Sequence, residues 1–263
     1  MISNGDGAPH AALDAAEAPA WLKPLLENAA DVPSAYRSRV PADVLAAITA
    51  ANVSATLTGA KRDAAVLVLF SGPFDSPSGG LPPDADLLLT VRASTLRQHA
   101  GQAAFPGGAA DPGDGGPVGT ALREAAEETG IDVTRLQPLL TLDRMFIPPS
   151  GFHVVPVLAY SPDPGPVQVV DERETAIVAR VPVRAFVNPA NRLMVYRREN
   201  TSRFAGPAFL LDQMLVWGFT GQVISAILEV AGWAEPWDAD DVRDLDAAMA
   251  LVGGSSDYGE GQQ

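Results

Sequence analysis

The sequence predicts an α/β fold in which a mixed central sheet carries helices on its faces. Short apolar segments bounded by Gly and Pro, typical of buried strands, stand on both sides of a helical segment that ends at Gly130. A second helical pattern follows Trp217, and this order of strands and helices favours a layered α/β domain. A length of 263 residues suits one large domain with extensions better than two complete domains.

The N-terminal part is predicted to be a tail followed by a helical extension. Residues 1–20 are rich in Ala, Gly, Asp and Pro, which is typical of a disordered tail. Helical patterns follow at residues 21–29 and 41–51, and the second begins with a proline suited to a first helical turn. We therefore expect a helical extension over residues 21–60.

The main domain is predicted over residues 61–235. Its predicted strands cover residues 64–70, 85–92, 101–105, 136–146, 152–160 and 176–181. The first long helix follows Pro117, and Gly130 is its expected C-terminal cap. In residues 216–230, apolar side chains recur every three or four positions, which predicts a helix with one buried stripe. Residues 236–263 are predicted to be a C-terminal segment with a flexible tail.

Composition narrows the partners and the location. The formal net charge of −14 argues against nonspecific binding to nucleic acid or to an anionic membrane, so an anionic substrate must be held by local cations. The first residues lack the basic start and apolar stretch of a secretory signal, and the apolar run at 64–70 is too short to span a bilayer. The absence of cysteine suits a reducing compartment. We expect a cytoplasmic protein, and a homodimer is compatible with the sequence.

The most informative segment is a cluster of carboxylates at the end of the first long helix. Glu124, Glu127 and Glu128 stand at i, i+3 and i+4, where like charges destabilise a helix by about 0.2–0.5 kcal/mol per pair. The helix dipole also disfavours carboxylates in the last turn. A divalent cation such as Mg²⁺ or Mn²⁺ offsets this repulsion, because hard cations take oxygen ligands. The alternative is an ordinary solvated helix face.

Groups suited to phosphate stand just upstream of this helix. They are Arg92, Arg97, His99 and Gln102. The planar fork of arginine donates two parallel hydrogen bonds to a phosphate, so these residues concentrate phosphate recognition in an otherwise acidic chain. Gly107 and Gly108 follow, and consecutive glycines allow the backbone to approach a ligand closely. The alternative is that the arginines pair with surface acids and that His99 is structural.

The glycines, an acid and the carboxylate helix together resemble the Nudix box, and the matching residues are Gly107, Gly108, Asp114 and 123–131. This resemblance implies a Nudix-type α/β/α sandwich that hydrolyses nucleoside diphosphate derivatives with Mg²⁺ or Mn²⁺. The chain departs from the motif at two positions. Ala125 replaces a large apolar residue, and Asp114 stands where most of the family has Glu, with one extra residue before Arg123.

The stretch at 87–108, LLLTVRASTLRQHAGQAAFPGG, resembles the signature of the coenzyme A diphosphatase branch of that family, which commonly shows the same Asp and spacing. A weaker echo is WGFTG at 217–221, similar to the Trp-Gly-x-Thr helix start of the branch. The resemblance implies hydrolysis of coenzyme A or an acyl derivative to 3′,5′-ADP and (acyl-)4′-phosphopantetheine.

The resemblance also implies roles for single residues. Glu124, Glu127 and Glu128 would hold the metal, and Glu127, Glu128 and Arg123 would form the catalytic set, with Arg123 orienting a glutamate. The implied substrate-binding residues are Arg92, Arg97, His99, Gln102, Phe105, Gly107 and Gly108. The proton acceptor is either Glu128 or a loop glutamate such as Glu174, and the sequence does not choose between them. Roles for Glu172, Arg144 and His153 also stay open.

Two other functions remain open. A Nudix hydrolase for ADP-ribose, dinucleotides or nucleoside triphosphates would carry the same box. A non-catalytic Nudix module that binds a ligand is the other alternative, and Ala125 favours it slightly. An inactive relative would be expected to lose metal ligands, whereas Glu124, Glu127 and Glu128 are all present, so we favour an enzyme.

Overall fold

The computed structural model describes residues 13–58, 62–76, 80–93, 101–147, 151–197 and 205–253. The helices in these ranges are α1 (Lys23–Glu27), α2 (Val32–Arg37), α3 (Ala42–Leu57), α4 (Pro117–Thr129), α5 (Val183–Val187), α6 (Gly218–Val230) and α7 (Leu245–Gly253). The strands are β1 (Arg62–Ser71), β2 (Asp86–Arg92), β3 (Ala103–Ala104), β4 (Gly107–Ala109), β5 (Gln137–Thr141), β6 (Met145–Ile147), β7 (Phe152–Ser161), β8 (Thr175–Pro182), β9 (Arg192–Tyr196), β10 (Ala205–Leu211), β11 (Met214–Val216) and β12 (Val242–Asp244).

Strand β1 is the centre of the larger sheet, whose main path has the order β3-β2-β1-β7-β5. It pairs in parallel with β7 along its whole length, from Arg62 opposite Phe152 to Ser71 opposite Ser161. Its other partners, β2 and β4, are antiparallel, as are the pairings of β8 with β2 and of β6 with β7. The sheet is therefore mixed, as predicted.

Helices cover both faces of this sheet because the side chains of β1 alternate between two cores. Leu67 and Leu69 pack with Ala125 of α4 on one face. Val68 and Phe70 belong to the larger core on the other face, which includes side chains of α1, α2 and α6. Burial of one such side chain contributes about 1.5–3 kcal/mol. This arrangement confirms the predicted α/β/α sandwich.

A second sheet lies toward the C-terminus and was not predicted. Its order is β11-β10-β9-β12, with β9 parallel to β12 and antiparallel to β10. Helix α7 packs on it through Leu245 and Ala248, which share a core with Leu193 and Val195. Residues 242–253, predicted to lie in a segment outside the main domain, thus form a strand and a helix of this sheet.

The N-terminal extension is held to the sandwich by a buried tryptophan. The Trp21 ring lies edge-on to Phe70 and Tyr160, each at 6.2 Å between ring centroids, and its Nε1 donates a 3.0 Å hydrogen bond to the Pro73 carbonyl. Residues 13–20, predicted to belong to the tail, include a 3-10 turn, and the Asp14 N–H bonds the Pro138 carbonyl at 3.1 Å. The folded extension therefore begins earlier than predicted, while α3 continues past the predicted end at residue 51.

Two predicted strands differ in their bounds. The predicted strand at 136–146 is two strands, β5 and β6, and the register of β5 on β7 shifts between Pro138 and Leu140. The predicted strand at 101–105 shortens to β3, while Gly107 and Gly108, which lie beyond its predicted end, pair with β1 as part of β4. In the described residues, no single helix meets the length and hydropathy needed to cross a membrane. One bent pair, Ala29–Arg37 with Ala42–Leu57, meets both criteria when taken together.

Candidate active site

Helix α4 presents the carboxylates and is fixed at both ends. Pro117 occupies its first turn, and Gly130 ends it in the left-handed conformation, with φ of 65° and a 2.9 Å hydrogen bond from its N–H to the Ala126 carbonyl. This confirms the predicted cap, because glycine adopts this conformation at little cost. Ala125, which replaces the usual large apolar residue of the motif, is fully buried and packs with Leu67 and Leu69 of β1.

Arg123 is the most heavily bonded side chain of the helix. Its Nε donates to Asp114 Oδ1 at 2.7 Å and its Nη2 to Asp114 Oδ2 at 3.1 Å. Its Nη1 donates to Glu127 Oε2 at 2.9 Å and lies 3.1 Å from Glu124 Oε1. Nη2 also donates to the Ala109 carbonyl at 3.0 Å. Arg123 therefore connects β4, the loop before α4 and two glutamates of the cluster.

Asp114 is the buried partner of Arg123, with only 6% of its side chain exposed. Its Oδ2 also accepts hydrogen bonds from the Thr120 hydroxyl and the Asp111 N–H, both at 2.8 Å. The hydrogen bond from Arg123 holds the pKa of Asp114 well below its usual range. The second departure from the motif thus places an ionised acid where it clamps Arg123.

Glu128 has a different environment. Its Oε2 accepts a 3.2 Å hydrogen bond from the Gly107 N–H, and within the described ranges it forms no ion pair. Burial raises its pKa to about 7, and the charges of Glu124 and Glu174 act in the same direction. The Gly107 N–H and the charge of Arg92 oppose that rise. Glu128 is therefore a buried carboxylate whose charge is only partly compensated.

The double glycine lets the backbone approach the carboxylates closely. A Cβ atom on Gly108 would lie 2.5 Å from Glu124 Oε1, and one on Gly107 would lie 2.4 Å from the Ala65 carbonyl oxygen. A side chain at either position would displace β4 or the glutamate. Burial raises the pKa of Glu124, while its ion pair with Arg123 opposes that rise. The predicted close approach of these glycines to a ligand stays a prediction.

A cavity of about 600 Å³ adjoins this cluster at the double glycine. Its walls come from both sheets and include Arg92, Gln102, Gly107, Gly108, Tyr196, Arg197, Trp217 and Phe219. Apolar residues such as Val66 and Val154 also line the cavity. The Nε atom of Arg92 is buried and has no hydrogen-bond partner among the described residues. An anionic ligand in the cavity would satisfy it.

The predicted substrate residues divide into three groups. Arg92, Gln102, Gly107 and Gly108 line the cavity, whereas Arg97 and His99 lie outside the described residues. Phe105 does not line it. Its side chain is only 2% exposed and packs in the larger core, because it points into the sandwich after β3.

The residues left open by the sequence also have clear surroundings. Glu174 is exposed, and its negative charge contributes to the raised pKa of Glu128. Glu172 is also exposed, and in the described part of the chain no contact or electrostatic effect connects it to the carboxylate cluster. Arg144 forms a 3.2 Å ion pair with Asp63. His153 is buried and its Nε2 lies 2.7 Å from Asn52 Oδ1 of α3. Of these four residues, Glu174 is the one the structure connects to the site.

Sequence reasoning missed two arginine–aromatic pairs of the cavity, one beside the first sheet and one beside the second. The Arg197 guanidinium carbon lies 5.0 Å from the centroid of the Trp217 ring, and Arg62 stacks on Phe152 at 4.0 Å. Both pairs line the cavity. The WGFTG segment was the one signal that pointed to Trp217. Its pairing with Arg197 could not be inferred, because Arg197 follows a strand of the sheet that was not predicted.

The residue types of the cluster fit a hard divalent cation. Glu124 and Glu128 offer carboxylate oxygens beside one another, and the raised pKa of Glu128 reflects burial and repulsion that a cation would offset. Glu127 is 60% exposed and bonded to Arg123. No group of three or more potential ligands is gathered around one point in the part of the chain that is described. To bind the same ion as Glu128, Glu127 would have to turn away from Arg123.

Comparisons with known proteins identify the family of this chain. The NUDIX domain family matches residues 62–202. A protein named uncharacterized Nudix hydrolase NudL, from Photorhabdus laumondii, is 37% identical over 149 residues, which cover 56% of this chain and 78% of that protein. Its namesake from Yersinia pestis is 36% identical over 144 residues, or 54% of this chain and 70% of that protein. The crystal structure of a Nudix hydrolase from M. smegmatis, RenU, has 28% identity and a TM-score of 0.38, covering 47% of this chain and 73% of that one.

Proposed function

The chain belongs to the Nudix hydrolase family, and we propose that its substrate is coenzyme A or an acyl derivative. The reaction would cleave the diphosphate bond and release 3′,5′-ADP and 4′-phosphopantetheine or its acyl form. Nudix hydrolases generally use divalent metal ions, and their fold suits small nucleoside diphosphate substrates. Support for coenzyme A itself comes from the resemblance of residues 87–108 to the coenzyme A diphosphatase signature.

The observation that carries the proposal is the junction of the cavity with the carboxylate cluster. Arg92 lines the cavity with an unpartnered buried Nε, as judged from the described residues, and its charge also acts on Glu128. A diphosphate bound by Arg92 would therefore lie close to the carboxylates. Arginine suits this task because its fork donates parallel hydrogen bonds to phosphate oxygens.

The side chains divide the work in this proposal. Glu124, Glu127 and Glu128 would hold Mg²⁺ or Mn²⁺, which supplies a bound water of lowered pKa and neutralises charge on the phosphate oxygens. Arg123 positions Glu124 and Glu127 without touching substrate, and the Gly107 N–H holds Glu128. Water adds to one phosphorus, the bridging P–O bond breaks, and the proton of the water passes to Glu128 or Glu174.

Product identification tests the substrate directly. The protein is incubated with coenzyme A and either Mg²⁺ or Mn²⁺, and the products are identified by mass, with a chelator as the control. We expect 3′,5′-ADP and 4′-phosphopantetheine in equal amounts, and none with the chelator. Turnover of ADP-ribose, a dinucleotide or a nucleoside triphosphate without turnover of coenzyme A would overturn the substrate and leave the chemistry. Tight ligand binding that is indifferent to metal, with no turnover of any substrate, would instead favour a ligand-binding module.

A cytoplasmic location and a homodimer stay predictions. The same holds for the absence of nucleic-acid and membrane partners, which rests on the net charge of −14. Size-exclusion chromatography with light scattering would measure the oligomeric state.

A further inference from the structure

The second sheet and the start of α6 form part of the cavity wall, whereas no residue of α4 is among the lining residues. Tyr196 ends β9, Arg197 follows it, and Trp217 precedes α6; all three line the cavity. The two walls meet at Gly218, where an added Cβ atom would lie 3.0 Å from Nε2 of Gln102. Residues after position 202, beyond the stretch matched by the family, therefore help to shape the substrate site.

Arg197 stacks on an aromatic ring and has no acidic partner among the residues that the structure describes. Its guanidinium stacks on the Trp217 ring, and no hydrogen bond or ion pair engages it in the ranges that the structure describes. Stacking on an aromatic ring restricts an arginine while leaving its N–H groups able to bind an anion. In a chain with a net charge of −14, an arginine of this kind on a cavity wall is a site for an anionic group.

Two arginines that line the cavity, Arg92 and Arg197, stand at the ends of strands from different sheets. Arg92 ends β2 and lines the cavity together with Gly107, whose N–H bonds Glu128, so it lies on the side of the carboxylates that would perform the reaction. Arg197 follows β9 of the second sheet. A substrate that contacts both would carry one anionic group at the reacting centre and another away from it.

We propose that Arg197, held by Trp217, binds a phosphate monoester that the substrate carries apart from the diphosphate that is cleaved. This inference rests on the proposed function, because coenzyme A has such a group in its 3′-phosphate. The dephosphorylated form of coenzyme A lacks only that phosphate and is the matched substrate. Arg197 would then determine specificity for nucleotides phosphorylated on the ribose, while Trp217 positions it.

Steady-state kinetics with the two substrates test the inference. A hydrogen bond to a charged group changes a binding constant by about tenfold to a hundredfold. We therefore expect the wild type to favour coenzyme A over dephospho-coenzyme A by about tenfold or more, mainly through KM. Arg197→Ala should lose this preference and leave turnover of dephospho-coenzyme A within about twofold, whereas Arg197→Lys should retain part of it. Arg243→Ala, which removes a charge from the same sheet at the ion pair with Asp241, is the control and should change neither substrate.

A binding measurement separates this inference from the proposed function. Calorimetry with 3′,5′-ADP and 5′-AMP needs no turnover, and Arg197→Ala should weaken the first by about tenfold without affecting the second. If this difference is found but coenzyme A is not hydrolysed, the proposed function fails and the subsite stands. Equal weakening of both nucleotides, or of neither, overturns the subsite even when coenzyme A is hydrolysed.

Discussion

Arg123 and Glu128 lie on the same helix, but the surroundings of their charges are opposite in kind. Arg123 is bonded to Asp114, Glu127 and Glu124, and the pKa of Asp114 is held low by this contact. Glu128 has one backbone hydrogen bond, and burial raises its pKa to about 7. The contacts of Arg123 with these acids form a clamp that stabilises the folded protein. Glu128, in contrast, is a buried carboxylate whose burial and repulsion a bound cation would offset.

The clamp and Glu128 therefore respond to pH in opposite directions. The pKa of Asp114 is lowered in the folded state, so Asp114 stabilises the protein at pH values above its ordinary pKa of 3.8. This contribution is lost as the pH falls through the folded pKa. Glu128, whose folded pKa is raised, contributes fully below its ordinary value of 4.5. Its contribution is lost as the pH rises through about 7. Near neutral pH, the clamp is intact while Glu128 opposes folding unless a cation is bound.

The largest expected effect is that of Glu128→Gln on turnover. The variant should lower kcat by about a thousandfold, because it removes a charge that the reaction needs while keeping the shape of the side chain. It should also raise the free energy of unfolding by about 1–3 kcal/mol at pH 8 with a chelator, since the buried charge is gone. Glu235→Gln, at an exposed residue, is the control. Unchanged turnover would show that Glu128 has no part in the chemistry.

The second effect is that of pH on stabilisation by metal. Mn²⁺ binds the ionised carboxylate, so the rise in melting temperature on adding Mn²⁺ should be several degrees at pH 8 and much smaller at pH 5.5. Differential scanning calorimetry with and without a chelator measures both values. The Glu128→Gln variant should lack this pH dependence. An equal rise at the two pH values would contradict the role of Glu128 as a ligand.

A third effect comes from breaking the clamp at Asp114. Asp114→Asn removes the ionised partner of Arg123 and should lower the free energy of unfolding by about 1–3 kcal/mol. It should lower turnover by only about tenfold to a hundredfold, because in the proposed reaction Arg123 would position glutamates without contacting substrate. Urea unfolding and steady-state kinetics on the same preparation provide both numbers. Asp163→Asn, at the exposed ion pair with Arg135, should stay within about 0.5 kcal/mol.

The smallest effect on stability is expected for Glu127→Gln. Glu127 is 60% exposed, and its pair with Arg123 is of the i, i+4 kind that contributes about 0.3–0.5 kcal/mol. Turnover should fall by about tenfold if Glu127 turns from Arg123 to the metal. A change in stability without any change in turnover would restrict Glu127 to the clamp.

The sequence predicted the first sheet and the helix α4 well because their signals are local. Residues 64–70 and 152–160 are short apolar runs, and they form most of β1 and β7. The end of α4 followed from Gly130 alone. For the carboxylates, spacing along one helix predicted that Glu124, Glu127 and Glu128 can approach one metal, whereas in the structure Glu127 is bonded to Arg123.

The second sheet and the division within α4 could not be predicted in this way. Strands β9 to β12 are short, and β9 pairs with β12 across many intervening residues, so no local pattern identifies the sheet. The partner of Arg123 depends on how the loop at Asp114 folds back onto the helix. Phe105 was misplaced because a resemblance identifies a segment, whereas burial decides which of its side chains face the cavity.

Calorimetric titration with Mn²⁺ at pH 8 tests most directly the claim that Glu128 is held for a cation. The wild type and Asp114→Asn should both bind Mn²⁺, and Glu128→Gln should bind it at least about tenfold more weakly, since one charged ligand is lost. Equal affinity of the wild type and Glu128→Gln would contradict the account, because Glu128 would then contribute nothing to cation binding.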